Sequence, residues 1–295
     1  MNATVDCVLD CRCTLGEGLV WDEQAGRLWW TDIPAGRIYA LERGSGAVRT
    51  FDLPGPVGSF GLCAGSDSLV VATVGGVHLF EPATGRLELI VDPEPEMPTN
   101  RLNDGKIGPD GAFWVGSMDN RPLAEKQPVG ALYRVTAGGG CERKVAGVIV
   151  SNGIGWTGDG RTMYHSDSRG MWIDRWDCDT ATGEITNRVR IAEPGPADGR
   201  PDGAAVDIED CYWSAGVSAG CLNRYAPDGE LLTKIEVPVP TPTMCCFGDG
   251  DMQTLFITSL QVDVPADVLA RHPWTGSVLA LRLPIAGVPT WRFKL

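Results

Sequence analysis

One unit recurs six times along this chain, and the recurrence restricts the architecture more than any other feature. Each copy reads as an apolar stretch, a turn, an aromatic or β-branched stretch, a third strand, a second turn and a fourth strand. Four short strands joined by tight turns make one propeller blade, and a blade buries its faces only against neighbouring blades. The first turns fall at 22–27, 65–68, 109–111, 158–161, 209–211 and 248–251, and RLWWTD, LVVATV, AFWVGSM, TMYHSD, CYWSAG and TLFITS follow them. Second turns fall at 43–46, 82–85, 137–140, 180–183, 227–229 and 286–288. They are rich in Gly and Asp, which tolerate the positive φ that short hairpins require. With Gly18, Gly61, Gly105, Gly153, Gly203 and Cys245 as first-strand landmarks, the repeat advances by 43, 44, 48, 50 and 42 residues. A blade usually takes about 40–50. The prediction is an all-β, six-bladed β-propeller of four-stranded antiparallel blades, one domain over residues 1–295. The N-terminal VDCVL is expected to supply the outer strand of the last blade, closing the ring without a long exposed edge.

Composition narrows the partners. The net charge of −13 would repel nucleic acid and anionic membrane surfaces. No run approaches the roughly 18 apolar residues of a membrane span. The N-terminal MNATVDCVLD has neither a basic segment nor an apolar signal core, so a cytoplasmic location and reduced thiols are expected. The ten cysteines form no C-x-x-C knuckle and read as small core hydrophobes. Stretches 92–100, 119–130 and 261–276 interrupt the repeat; the last contains ADVLAR, which suits a short helical turn. Loops of this kind on a rigid scaffold commonly carry specificity.

The strand that opens each blade runs nearest the propeller axis. Blades two and six place the apolar pairs Phe60-Gly61 and Met244-Cys245 there, so the fold itself demands no polarity at this level. Yet blade one has Gly16-Glu17-Gly18, blade three Arg101-Leu102-Asn103-Asp104-Gly105, blade four Ser151-Asn152-Gly153 and blade five Pro201-Asp202-Gly203. A single polar-Gly pair would be read as a turn cap. Four of six together predict a convergence of Glu17, Asn152 and Asp202 on one axial point, where desolvating two carboxylates without a counter-charge is costly. One bound divalent cation resolves that cost. Two carboxylates and an amide oxygen suit Ca²⁺, Mg²⁺ or Mn²⁺ better than a structural zinc, although Zn²⁺ and Fe²⁺ stay open, and three protein donors leave positions for water and substrate.

Other patterns read as structure. Gly216-Val217-Ser218-Ala219-Gly220 matches a nucleophile elbow, but its flanks are two strands of a hairpin rather than a strand and a helix. His78, His165 and His272 fall in different blades, and His165, beside Ser166 and Asp167, suits a structural hydrogen bond.

The stretches LGEGLVWD at 15–22, RLNDGKIGPDGAFWVGSM at 101–118, SNGIGW at 151–156 and RPDGAAVD at 200–207 resemble the SMP-30/gluconolactonase/luciferin-regenerating-enzyme family. Together with the blade rhythm, the resemblance covers essentially the whole chain. It implies a propeller whose divalent metal is held by Glu17, Asn152 and Asp202. It also implies Asp202 as general base, and Arg101 and Asn103 on the hydroxyls of a sugar lactone, with Asp104 and Met118 in the same substrate-binding motif. The implied reaction is hydrolysis of an aldonolactone, with that small molecule as the partner of a monomer or weak homo-oligomer. Animal members carry acidic residues soon after the G-[ST]-M motif; here Asp119 stands in that place. Nearby Arg121 would suit a substrate with a second anionic group, such as an aldarolactone. Two rivals remain at this level. One is an esterase or phosphotriesterase-like hydrolase on the same metal. The other is a non-catalytic binding platform, for which Trp172, Trp176 and Trp274 would mark a surface patch, while Trp29, Trp114 and Trp213 fill blade cores.

Overall fold

The computed structural model describes residues 4–295 as six four-stranded antiparallel sheets arranged in a ring. The innermost strands are Gly16–Asp22, Val57–Leu62, Asn100–Ile107, Ser151–Trp156, Pro201–Val206 and Pro242–Gly248. Each touches the next, and the first touches the last, so the ring is closed. Five of these strands are buried at every position, Asn100–Ile107 being the exception, whereas the outermost strands, such as Val48–Asp52 and Leu231–Glu236, are largely exposed. That radial gradient is what stacked blades dictate: the middle layers bury both faces, and only the rim meets water.

The predicted strands fall where the repeat placed them, with one correction. Val5–Leu9 pairs with Val278–Arg282, so the N-terminus completes the sixth blade as expected. The turn at 286–288 therefore leads to no fourth strand. Instead the C-terminal segment crosses the end of the axial channel: Val288 N donates to Val206 O at 2.9 Å and Phe293 N to Leu62 O at 2.8 Å. Phe293 is fully buried, and Trp291 packs edge-on against Trp156 at 6.3 Å. One end of the channel is thus closed by the chain's own tail, because an N-terminal strand already occupies the slot that the tail would have filled.

Side chains between blades form the core. Trp29 packs with Phe60 and Leu69 between blades one and two, Trp114 meets Trp156 edge-on at 5.6 Å between blades three and four, and Trp213 meets Phe247 between blades five and six. The expected short helix is Ala266–Arg271. The 217–219 segment is the turn between Tyr212–Gly216 and Cys221–Tyr225, as its hairpin flanks required. All ten cysteines are free thiols, seven of them buried. Trp172 and Trp176 form no open patch: both are half-buried, and the Arg188 guanidinium lies over the two rings at 5.2 and 5.3 Å.

Candidate active site

Every innermost strand slips register against its neighbour at the same level: between Glu17 and Val20, Val57 and Ser59, Leu102 and Gly105, Asn152 and Gly155, Pro201 and Ala204, and Pro242 and Cys245. A bulge of this kind leaves a residue outside the ladder and re-aims its side chain. Gly18 and Gly153 take φ of 59° and 62° there, a left-handed conformation that costs a side-chain-bearing residue steric strain. The polar-Gly pairing seen in the sequence is therefore the bulge itself: glycine supplies the turn, and the residue before it is turned off the sheet toward the axis.

At the end of the channel away from the tail, the bulges of blades one, three, four and five line one cavity of about 180 Å³. Glu17, Arg101, Asn103, Met118, Asn152 and Asp202 all border it. Six of the predicted site residues are thus brought together. Glu17 and Asp202 are 6% and 8% exposed. Burial, together with the mutual repulsion of Glu17, Asp202 and Asp104, pushes both carboxyls well above the usual carboxylate range. Glu17 Oε2 accepts only the Gly18 N–H, at 3.0 Å. Arg101, desolvated yet held by the field of Glu17 and Asp202, falls to about 10.

Asn152 is fixed by a short relay. Its Nδ2 donates to Ser168 Oγ at 2.8 Å, and Ser168 Oγ donates to Pro201 O at 2.6 Å. The amide's Oδ1 is buried without any protein partner. Such an oxygen is costly unless a ligand meets it. Two desolvated carboxylates and one orphaned amide oxygen around a single cavity fit a hard divalent cation in charge and in donor type. Among the described residues no group of three His, Cys, Asp or Glu side chains is placed to hold a metal; the axial donors are two carboxylates and an amide.

Asn103 has both ends of its amide engaged. Oδ1 accepts from Arg101 Nη1 at 2.7 Å and Nδ2 donates to Ser151 O at 2.9 Å, so Asn103 positions Arg101 as much as it faces the cavity. The two remaining expected residues lie off its lining. Asp104 sits beneath it, 3% exposed, its Oδ2 accepting from Ile154 N at 3.2 Å and its Oδ1 unpartnered. Asp119 is fully buried in its own loop, where Arg121 Nη2 at 2.6 Å and Gln127 N at 2.8 Å donate to its carboxylate and hold it far below its usual range. Arg121 is spent in that pair rather than facing a substrate.

Sequence reasoning passed over four residues that do line the cavity: Lys126, Ser168, Arg169 and Arg200. Arg200 stands two positions before Asp202 within the motif and was the one that could have been found. His165 is fully buried, as a structural histidine should be: its Nε2 shares a hydrogen bond of 2.8 Å with Ser151 Oγ.

Comparison with known proteins gives the chain's relatives. The profile of the SMP-30/Gluconolactonase/LRE-like region matches residues 15–261. A 6-deoxy-6-sulfogluconolactonase from Pseudomonas putida is 36% identical over 288 residues, 97% of each chain. An L-arabinolactonase from Azospirillum brasilense is 33% identical over 96% of this chain and 93% of its own. Among solved structures, a calcium-binding protein, regucalcin, from Agrobacterium tumefaciens superposes with a TM-score of 0.91 at 28% identity, covering 98% of both chains.

Proposed function

The chain belongs to the SMP-30/gluconolactonase/LRE-like family, and from that membership and the axial geometry we propose that it hydrolyses a sugar lactone with one divalent metal ion. The observation that carries the metal is the buried, unpartnered Asn152 Oδ1 on the same cavity as the raised carboxyls of Glu17 and Asp202. The lactonase names of two relatives at 36% and 33% identity support the reaction class, and the calcium-binding neighbour supports a metal.

Glu17, Asn152 and Asp202 would hold the cation, which when bound supplies Lewis acidity toward the lactone carbonyl. Asp202 is the base: a desolvated carboxylate is a stronger proton acceptor than a solvated one. It takes the proton of the attacking water as the new C–O bond forms, and returns it to the ring oxygen as the ring C–O bond breaks. The product is the open-chain sugar acid. Arg101, its guanidinium anchored by Asn103 Oδ1 and by Leu102 O at 3.0 Å, presents its remaining N–H donors to ring hydroxyls. Fixing the ring in this way removes orientational entropy from the barrier. Leu15, Ile33 and Leu260 line the opposite wall and offer contact to the sugar's C–H face.

The test is proton release at fixed pH from a panel of five- and six-membered aldonolactones, with chelator-stripped protein and with Mg²⁺, Mn²⁺, Ca²⁺, Zn²⁺ or Fe²⁺ restored. Acceleration above spontaneous hydrolysis, dependent on metal, is the expected result. No acceleration with any metal overturns the proposal.

A further inference from the structure

The mouth of the cavity is electrically lopsided. Lys126, Arg169 and Arg200 line it from the loops of blades three, four and five, while Leu15, Ile33 and Leu260 line it from blades one and six. None of the three cations is in an ion pair among the described residues; their positions differ in this from Arg121, Arg134 and Arg224, which each hold a buried Asp within 2.7 Å. Lys126 Nζ donates to the backbone carbonyl of Asp119, and neither guanidinium has a protein acceptor. All three are half-buried. Their fields overlap unfavourably. Burial and the facing Arg200 lower Arg169, and burial with Arg101, Arg169 and Arg121 nearby lowers Lys126, even against the Asp119 carboxylate.

Cations that repel one another at the edge of a pocket destabilise the empty site and are offset when an anion arrives. The carboxylates of the cavity answer that charge only in part: the field of Arg200 lowers Asp202, without an ion pair between the two among the described residues. Glu17 and Asp202 lie deeper on the axis, and a divalent metal held by them would balance their charge; Arg101 adds a further positive charge beside them. A neutral sugar would leave the three outer cations without a partner.

We propose that Lys126, Arg169 and Arg200 form a subsite for a terminal anionic group, so that the substrate is a sugar lactone carrying a carboxylate, sulfonate or phosphate at the end remote from its carbonyl. This rests on the lactonase reading and deepens it. The lactone ring lies over Glu17, Asn152 and Asp202, and the anionic tail points toward blades three to five, where guanidinium groups offer paired donors to planar or tetrahedral oxyanions.

The experiment compares kcat/KM for lactones of one sugar that differ only at the terminal carbon: hydroxymethyl, carboxylate, sulfonate and phosphate, on metal-loaded protein. The expected result is a preference of about tenfold or more for an anionic member, as charge-assisted hydrogen bonds to a half-buried site imply. The preference resides in KM, and it shrinks in Arg169→Gln and Arg200→Gln. The arm that gives the largest ratio identifies the oxyanion. Turnover of the hydroxymethyl lactone as efficiently as the others overturns the subsite but leaves the lactonase reading intact. Absence of turnover on every lactone overturns the lactonase reading instead. In that event calorimetry still decides the subsite: open-chain sugar diacids or sulfonated sugar acids should bind more tightly than the simple aldonate, and Arg169→Gln should erase the difference. Equal binding of simple aldonate would mean that the cations meet only the carboxylate released by hydrolysis, which also overturns it.

Discussion

Lowering the pH should destabilise this fold through one side chain, His165, by an amount that the structure allows to be worked out. The ring is fully buried, and Nδ1 has no protein partner while Nε2 meets Ser151 Oγ. A neutral imidazole can leave Nδ1 as an idle acceptor; an imidazolium would bury a second donor and a charge beneath the Arg188 guanidinium. Burial, with Arg188 adding repulsion, depresses the histidine from 6.5 to about 3. Because the folded value is the lower one, the native state binds fewer protons than the unfolded chain. The stability contribution is complete above about 6.5 and is lost as pH falls toward 3. At 1.36 kcal/mol per unit the ceiling is about 5 kcal/mol, and at pH 5 the loss is about 2 kcal/mol. The assay is urea unfolding of wild type and His165→Gln at pH 7 and 5, at constant metal, followed by tryptophan fluorescence. Glutamine keeps a hydrogen bond to Ser151 but cannot take the proton. The stability advantage of wild type should shrink by about 2 kcal/mol between the two pH values, all other titrations cancelling in the difference. A pH-independent advantage would refute the reasoning. If the variant does not fold, the imidazole Cε1–H resonance of wild type decides, since it should not move above pH 4.

Asp202→Asn should keep the fold and remove turnover, read as loss of proton release with an unchanged circular-dichroism spectrum; turnover near wild type would remove Asp202 as the base. Ser168→Ala frees the Asn152 amide to rotate, so metal affinity measured by titration calorimetry should fall about tenfold, the usual cost of losing a group that orients a ligand; unchanged affinity would show that the relay through Pro201 O is not what aims Oδ1. Glu17 and Asp202 are raised, so the metal-free fold keeps its protons longer than the unfolded chain and loses that stabilisation as pH rises through the folded values. A fixed metal concentration set at 100 times the Kd at pH 8 should restore about 2.7 kcal/mol there and less at pH 5, where protons compete for the carboxyls; an equal gain at both would separate the metal from these carboxyls. Phe293→Ala should cost about 3–5 kcal/mol in thermal or urea unfolding, because that side chain is fully enclosed where the tail meets blade two.

The architecture was open to sequence reading because a propeller repeats its constraints. Each blade needs the same two turns and the same buried middle strands, so six weak signals reinforce one another. The axial donors were legible for a related reason. Glu17, Asn152 and Asp202 each precede the glycine of a bulge, at a level where blades two and six carry the apolar pairs Phe60-Gly61 and Met244-Cys245, and a polar residue at a place where the fold needs none stands out against its own repeat. The tail could not be read this way. Its turn at 286–288 looks like the other second turns, and only the competition with Val5–Leu9 for the edge of Val278–Arg282 decides that the chain must go elsewhere.

The mouth of the cavity lies beyond what the repeat can reveal, since its residues come from loops, where blades are free to differ. Asp119 and Arg121 illustrate the limit. Their spacing looks like a substrate clamp, yet three donors that are hard to weigh in a sequence, Arg121 N and Gln127 N to the Asp119 carboxylate and Lys126 Nζ to its backbone carbonyl, turn the pair inward and make it the internal brace of the 119–130 loop. The brace has a consequence for recognition. By consuming Arg121 it fixes the loop that carries Lys126, and Lys126, with Arg169 and Arg200, is what the cavity presents in its place. The charge expected at the mouth is present, then, but it is supplied by residues that the braced loop and the neighbouring blades hold there, and a substrate's anionic end would meet those rather than the arginine nearest the motif.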